Sequence, residues 1–242
     1  MSTYRSRIYE NYGKTFQDTP EHFDRQAARR WGRAQDWYLR HWLPGNKSAR
    51  IVDLACGAGR LLHYFLEKGY SQVEGVDLSP DQVALSRQIV PGVTQGNVIE
   101  FLEAHPAQFD LITGYDIIEH FNKDEALRFL DAAYAALKSG GRLVLKTPNN
   151  GGIWDEHRYN DLTHEIGVNA NLMRRLLRMV GFQEVEVREA DPPPIGYSLL
   201  ASVRFVLWQV IRWQLLLWNL IENGHAGDGV LTRVFLAAGV KK

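Results

Sequence analysis

Apolar residues along this chain recur with two different spacings, and the two spacings alternate. Short apolar or alternating runs predict seven strands, at 51–53, 72–77, 93–95, 109–115, 142–147, 182–188 and 231–238. Stretches with apolar residues three or four positions apart predict helices between them, at 21–42, 60–68, from about 79, at 123–137, 170–180 and 197–221. Strands that alternate with helices predict an α/β fold.

The sharpest transition from strand to helix lies at 51–62. The first strand ends at Asp53, a turn follows with Gly57 and Gly59, and an apolar helix begins after it. Glycine permits positive φ and a close approach of the backbone to a ligand. Leu62 stands where a nicotinamide-dinucleotide motif has its third glycine, which argues against that cofactor. Asp77 ends the next strand about twenty residues after Gly57, where a carboxylate can accept hydrogen bonds from ribose hydroxyls.

Five blocks resemble, in order and spacing, the class I S-adenosylmethionine (SAM)-dependent methyltransferases. They are VDLACGAGR (52–60), VEGVDLSPDQV (73–83), GNVIEF (96–101), FDLITGYDIIEHF (109–121) and LKSGGRLVLKTPN (137–149). The resemblance implies a Rossmann-like, doubly wound sheet of seven mostly parallel strands with an antiparallel last strand. It also implies SAM as cofactor and S-adenosylhomocysteine as product. We expect residues 1–45 to form a helical cap or lid, and 46–242 the SAM-binding core with a helical insertion at 197–223.

The resemblance also assigns cofactor contacts. It places SAM against Asp53, Ala55, Gly57, Gly59, Arg60, Asp77, Leu78, Asn97, Val98 and Tyr115. Leu78 is expected against the adenine. Asn97 replaces the acid common in the family, and its amide oxygen could accept from the adenine amino group. In similar enzymes an N-terminal segment closes over the cofactor, and Tyr12 and Arg29 are the residues expected to do so here.

Two groups of residues are candidates for the chemistry. Asp116, Glu119 and His120 follow the fourth strand, where the spacing of Asp116 and His120 would place them on one helical face. The alternative is that Asp116 only caps the turn and His120 bonds to backbone. The loop at 150–169 offers a competing pair, Asp161 and His164. A histidine near neutral pKa suits deprotonation of a hydroxyl, and we expect His164 slightly before His120 as the base.

The loop at 150–169 also suggests a substrate class. Its RYNDLTHE sequence (158–165) resembles a branch associated with bacterial surface polysaccharides, which implies O-methylation of a sugar or glycan. The alternatives are a small-molecule methyltransferase of quinone or secondary metabolism, and a non-catalytic SAM-binding partner subunit. Substrate contacts are expected from Trp154, Arg158, Tyr159 and Glu119. Magnesium is an alternative for which ligands are present, namely Asp116, Glu119, His157, Asp161 and His164. No tight carboxylate motif marks a metal site, so we expect no metal.

Composition limits the other partners. The 28 basic and 28 acidic residues leave no net charge, so neither nucleic acid nor an anionic membrane is implied. Cys56 is the only cysteine, which excludes an internal disulfide. The N-terminal residues lack the apolar core of a secretory signal, so a cytoplasmic location is expected.

The apolar segment 197–221 is compatible with several structural roles. A membrane-spanning helix is disfavoured because Arg204 and Arg212 would lie in the bilayer. The segment could pack across the domain, form a lid or homodimer surface, or lie on a membrane. Its polar residues fall in one arc of the helix, which predicts two distinct faces.

Overall fold

The computed structural model describes residues 4, 5, 8, 22–151, 161–191 and 197–242. Its centre is a sheet of seven strands: β1 (Arg50–Leu54), β2 (Gln72–Asp77), β3 (Thr94–Gln95), β4 (Phe109–Tyr115), β5 (Leu137–Pro148), β6 (Gln183–Glu189) and β7 (Val234–Val240). The expected contacts Tyr12, Trp154, Arg158 and Tyr159, and the alternative magnesium ligand His157, lie outside the described residues.

The sheet has the strand order β3-β2-β1-β4-β5-β7-β6. β1 pairs in parallel with β2 and β4, whereas β7 runs antiparallel to both β5 and β6. The expected Rossmann-like sheet with an antiparallel last strand is therefore confirmed. The chain reverses its direction of winding between β1 and β4, and ligands of such sheets bind beyond the carboxyl ends of the strands at that point.

Helices cover both faces of the sheet. They are α1 (Arg25–Tyr38), α2 (Arg60–Glu67), α3 (Pro80–Ser86), α4 (Val98–Glu103), α5 (Lys123–Ala136), α6 (Ala170–Val180) and α7 (Leu199–Asn223), with a short 3₁₀ helix at Ile118–His120. The N-terminal helix α1 lies on α2, where Tyr64 donates a hydrogen bond to Asp36 at 3.0 Å. Side chains from the two sheet faces form two separate apolar clusters.

The fifth strand begins earlier than its apolar pattern predicts. The Gly140-Gly141 pair is typical of the end of a helix, but α5 already ends at Ala136 and β5 begins at Leu137. Leu137 has an extended backbone and pairs with Phe109, so the two glycines lie inside the strand. A Cβ at Gly141 would lie 2.8 Å from the carbonyl oxygen of Lys138, so position 141 admits only glycine.

Helix α7 is the expected insertion between β6 and β7, and it has two faces. The polar face points towards the domain: Trp208 Nε1 donates to Glu189 at 3.3 Å, and Arg212 pairs with Glu189 and donates to the Gly229 carbonyl. The opposite face leaves large apolar side chains exposed, including Leu207, Trp213, Trp218 and Ile221. By length and composition α7 is apolar enough to cross a bilayer, and near its middle Trp208 and Arg212 contact Glu189 and the Gly229 carbonyl of the domain.

Candidate active site

A cavity of about 770 Å³ lies beyond the carboxyl ends of the central strands. Residues from all five sequence blocks meet there, together with the histidine-bearing loop. Its walls include nearly every described residue expected to bind cofactor or acceptor, namely Asp53, Ala55, Gly57, Arg60, Asp77, Leu78, Asn97, Val98, Tyr115, Asp116, Glu119, His120, Asp161 and His164. Gly59 is outside this lining and serves as the N-cap of α2, with φ of 82°.

The glycine turn is shaped by its neighbours as well as by its own glycines. Gly57 has φ of 50°, a conformation that residues with a Cβ rarely adopt. Asp77 accepts hydrogen bonds from the backbone N–H of Gly57 at 2.8 Å and of Ser79 at 2.9 Å. A Cβ at Gly75 would lie 2.9 Å from Cys56 Sγ. Asp77, the carboxylate expected at the ribose, therefore also fixes the loop. The residue of β2 that faces Cys56 must be as small as Gly75.

Asp53 is a buried acid beside the cofactor loop. Its Oδ1 accepts a 2.6 Å hydrogen bond from Thr113 Oγ1 on the adjacent strand β4. Removal from water raises the pKa of Asp53 to about 7, with a smaller contribution from the negative charge of Asp77, although the Thr113 bond opposes the shift. A cationic ligand would therefore find a carboxyl group that ionises near neutral pH.

The residues expected to contact adenine all line the cavity, but one of them has a different hydrogen-bonding role. Leu78 and Val98 line the cavity as expected. Asn97, however, is the N-cap of α4: its Oδ1 accepts from the backbone N–H of Ile99 at 2.8 Å and of Glu100 at 3.4 Å. The oxygen expected to accept from adenine is thus already occupied, because capping uses both of its lone pairs. The amide N–H₂ group remains the part of Asn97 that suits a ring nitrogen.

The N-terminal helix supplies one wall of the cavity, but through other residues than expected. Trp31 lines the cavity and contacts the ring of Tyr115 edge to face, and the Tyr115 hydroxyl donates to buried Gln35 at 2.9 Å. Arg29 does not line it, because its guanidinium lies on the outer surface and binds Glu67 at 3.0 Å. Arg5, which was not anticipated, does reach the cavity wall and binds Glu125 at 2.8 Å.

Asp116 does not orient His120, contrary to the helical spacing expected from the sequence. The backbone of Asp116 has φ of 53°, so the chain turns sharply there before the 3₁₀ helix begins at Ile118. This turn directs the carboxylate to Lys146 Nζ, 3.0 Å away on β5. Lys146 also lines the cavity and was missed by the sequence argument, since its partner comes from a different strand.

The two competing histidines form one cluster. Their ring centroids lie 4.8 Å apart, edge to face. His120 Nδ1 lies 2.8 Å from Thr163 Oγ1, and that hydroxyl donates to Asp161 Oδ1 at 2.7 Å. A hydroxyl has one proton, so Nδ1–H of His120 must be the donor to Thr163, and Nε2 carries the lone pair. Burial and the neighbouring His164 lower the pKa of His120 to about 4, so this ring is neutral at neutral pH.

Glu119 lies beneath the histidine pair and is buried. Its Oε2 accepts from Thr147 Oγ1 at 3.0 Å, while no described residue donates to its Oε1. Burial and the nearby charge of Asp116 raise the pKa of Glu119 to about 8. The backbone carbonyl of Glu119 accepts from the N–H of Glu165 at 2.8 Å and of Ile166 at 3.2 Å. These bonds fasten the His164 loop to the end of β4.

Comparison with known proteins gives the family. Residues 23–187 match the model of a methyltransferase domain. The ubiquinone biosynthesis O-methyltransferase of Idiomarina loihiensis is 28% identical over 120 residues, 46% of this chain and 47% of that protein. The Klebsiella pneumoniae protein of the same name is 30% identical over 112 residues, 43% of this chain and 45% of its own length. The chain thus spans about half the length of these relatives.

Solved structures agree on the fold. A SAM-dependent methyltransferase from Archaeoglobus fulgidus has a TM-score of 0.63 at 16% identity, covering 98% of this chain and 99% of its own. Phosphoethanolamine N-methyltransferase 2 of Haemonchus contortus, in complex with SAM, also has a TM-score of 0.63, at 18% identity, covering 96% of this chain and 60% of that one. Because the family match covers well over half of the sequence, the chain is an enzyme that uses SAM as cofactor and belongs to the class I SAM-dependent methyltransferases.

Proposed function

We propose that this enzyme transfers the methyl group of SAM to a hydroxyl oxygen of a small-molecule acceptor. SAM already carries an activated methyl on a sulfonium, so the protein's task is to align the acceptor with it and to help remove the hydroxyl proton. The histidine cluster opposite the glycine turn carries this proposal. A nitrogen or carbon acceptor has less need of two imidazoles and a buried carboxylate at this place.

In this proposal each residue of the cofactor half of the cavity has its own role. Asp77 accepts from the ribose hydroxyls while holding Gly57, and Asp53 faces the cationic part of SAM. Leu78 and Val98 contact the adenine, and Tyr115, held by Gln35, closes the side towards α1. The glycine turn provides backbone N–H groups at the start of α2.

The acceptor half is built from the ends of β4 and β5 and from the loop after 160. His164, which lies on the cavity wall, is our first choice for the group that takes the hydroxyl proton. His120 is the second choice, with its lone pair on Nε2 fixed by Thr163. Asp161 orients this chain of hydrogen bonds, and Glu119 lies below it.

Aromatic hydroxyls are the acceptor class that we favour. The ubiquinone biosynthesis relatives are O-methyltransferases by name, and the described cavity wall offers the rings of Trp31, Tyr115 and Phe121. A sugar hydroxyl is the second candidate, supported by the polar residues Asp161 and His164 of the RYNDLTHE loop. A phenol is the easier substrate to deprotonate, since its pKa is close to that of tyrosine, about 10.

The test is a panel of acceptors incubated with SAM that carries a ¹³C-methyl group. Catechols and hydroquinones form one set, nucleotide sugars and glycans a second, and primary amines a third. We expect products whose labelled carbon is bonded to oxygen, mainly in the first set, and His164→Gln should lower turnover by roughly 100-fold while SAM affinity is kept. Methylation confined to amines or to carbon would overturn the proposal. Methyl ethers formed only in the second set would keep the reaction and change the acceptor class.

A further inference from the structure

The acceptor end of the cavity has the composition of a metal site. We infer that Glu119, His120 and His164 bind one divalent transition-metal ion there. No metal was expected from the sequence, because these residues form no tight carboxylate motif along the chain. Folding brings them together from the 3₁₀ helix and from a loop more than forty residues later.

The spacing of the three side chains suits a single ion. One ligand atom from each residue can be chosen so that all three lie within 4.8 Å of one another. Around an ion with bonds of about 2.1 Å, tetrahedral ligand atoms lie about 3.4 Å apart. The widest pair must therefore close by up to about 1.4 Å on binding, which requires rotation of the side chains.

Glu119 independently supports a cation at this place. It is only 2% exposed, and none of the described residues donates a hydrogen bond to its Oε1. A buried carboxylate oxygen without a donor is costly, unless the group is protonated or binds a cation. Lys146 does not fill this role, since its ammonium group pairs with Asp116 at 3.0 Å instead. A metal ion at the histidine cluster would neutralise the carboxylate.

The residues around the ligands are arranged as outer contacts of a metal site usually are. Ligating histidines donate their second N–H to a hydroxyl, carbonyl or carboxylate, which fixes the ring. His120 does this through Nδ1–H to Thr163, whose own hydroxyl donates to Asp161. Thr147 fixes the carboxylate of Glu119 in the same manner at 3.0 Å. The lone pair of His120 thus resides on Nε2, which is the tautomer that metal binding requires.

The ligand types indicate which ions would bind. Two imidazoles and one carboxylate favour zinc, cobalt, manganese or iron(II) over magnesium and calcium, which prefer sites made of oxygen. Three protein ligands leave at least one position open, as in catalytic sites. In this chain the open side faces the cavity, where the cofactor residues also lie.

The role of the ion rests on the proposed function, although its binding does not. With the imidazoles of His120 and His164 bound to the ion, neither would take the proton as a base. An acceptor hydroxyl in the open position would instead be acidified by the ion and lose its proton to water. The resulting oxygen anion attacks the methyl carbon, the O–C bond forms and the C–S bond breaks. The bonding pair returns to sulfur, so the products are the methyl ether and neutral S-adenosylhomocysteine. The ion is not oxidised or reduced.

The test uses the full chain, stripped with EDTA, dialysed and titrated with Co²⁺ alone while visible absorption is followed. We expect one equivalent to bind, with displacement by Zn²⁺ and none by Mg²⁺ at the same concentration. Glu119→Gln and His164→Gln should each weaken Co²⁺ binding at least tenfold. His225→Gln, a histidine exposed beyond α7, is the matched control and should bind as wild type does. SAM affinity within twofold of wild type shows that each variant is folded.

The outcomes separate this inference from the proposed function. Absence of a cobalt signal, or binding that neither Glu119→Gln nor His164→Gln weakens, overturns the metal site. Full activity of the stripped enzyme on a hydroxyl acceptor also overturns the metal's role and leaves O-methylation by the histidines standing. Stoichiometric binding that both variants lose, with methylation only of nitrogen or carbon, supports the site and rejects the proposed reaction.

Discussion

Asp53 should make SAM binding depend on pH. The carboxyl group is buried at the end of β1, and its pKa is raised to about 7 by desolvation, with the charge of Asp77 adding to the shift. SAM brings a sulfonium and an ammonium, both positive. Binding next to these charges should favour the ionised carboxylate, so the cofactor and the proton compete for Asp53. The substitution Asp53→Asn tests this, because it keeps the shape of the side chain and removes its ionisable carboxyl group.

The size of the pH effect on SAM binding follows from the pKa of Asp53. With a pKa of about 7 in the free enzyme and a value well below 6 in the complex, about 0.9 proton is released per SAM at pH 6 and about half a proton at pH 7. The apparent Kd should then fall about eightfold between pH 6 and pH 7.5. Higher pH is avoided because an α-amino group itself titrates near 8.

Isothermal titration calorimetry measures the released protons directly. The binding heat at pH 6 is compared between two buffers whose ionisation enthalpies differ, and the slope gives the number of protons. Asp53→Asn should abolish the release, whereas Asp124→Asn, an exposed acid on α5 outside the cavity, should keep it. The reasoning fails if wild type releases no proton at pH 6, or if Asp53→Asn leaves the release unchanged.

The remaining predictions concern other parts of the structure. Between about pH 4 and 7 the native state holds the Asp53 proton that the unfolded chain gives up, so wild-type stability falls as pH rises through this window, by up to about 4 kcal/mol relative to Asp53→Asn. Urea unfolding at pH 5 and 8 covers part of this window and should show a fall of about 2.5 kcal/mol. Gly75→Ala should cost about 1–3 kcal/mol of unfolding free energy by crowding Cys56, whereas Gly92→Ala, with open space around it, should not. Asp77→Asn should weaken SAM binding by about 1.5–3 kcal/mol in calorimetry, because the loop N–H groups lose a charged acceptor. Ile221→Ser on the outer face of α7 should change the unfolding free energy by less than about 0.5 kcal/mol; a larger loss would mean that this face is covered.

The fold was accessible from the sequence because its signals are local. Each strand of the sheet has its own apolar run, and the turn at Gly57 depends on residues that are neighbours in the chain. The sequence predictions were wrong or incomplete where a contact with a residue distant in the chain determines the structure. Gly140 and Gly141 resemble a helix end, yet pairing of Leu137 with Phe109 extends β5 through them. For α7 the periodicity predicted two faces, but only the position of Glu189 shows that the polar face is turned inward.

The cofactor half of the site was more predictable than the acceptor half for the same reason. Asp53 and Asp77 each lie near the end of a strand beside the glycine turn, so their place follows from the order of strands. The spacing of Asp116 and His120 was compatible with a shared helical face, but the left-handed backbone at Asp116 sends its side chain to Lys146. The link from His120 through Thr163 to Asp161 joins segments about forty residues apart, and no local pattern marks it.

The charges around the cavity limit how the enzyme can gain its rate. The described lining contains six acids and three bases, namely Asp53, Asp77, Asp116, Glu119, Glu125 and Asp161 against Arg5, Arg60 and Lys146. At pH 7 Glu119 is largely protonated and Asp53 about half ionised, and the charged acids still outnumber the bases. Such a lining attracts the sulfonium of SAM and loses that attraction once sulfur becomes neutral, so it favours cofactor over product. The same attraction weakens as the positive charge disperses in the transition state, and it therefore contributes to binding more than to turnover. Acceleration must come from alignment and from acidification of the acceptor, which are tasks for the histidine end of the cavity.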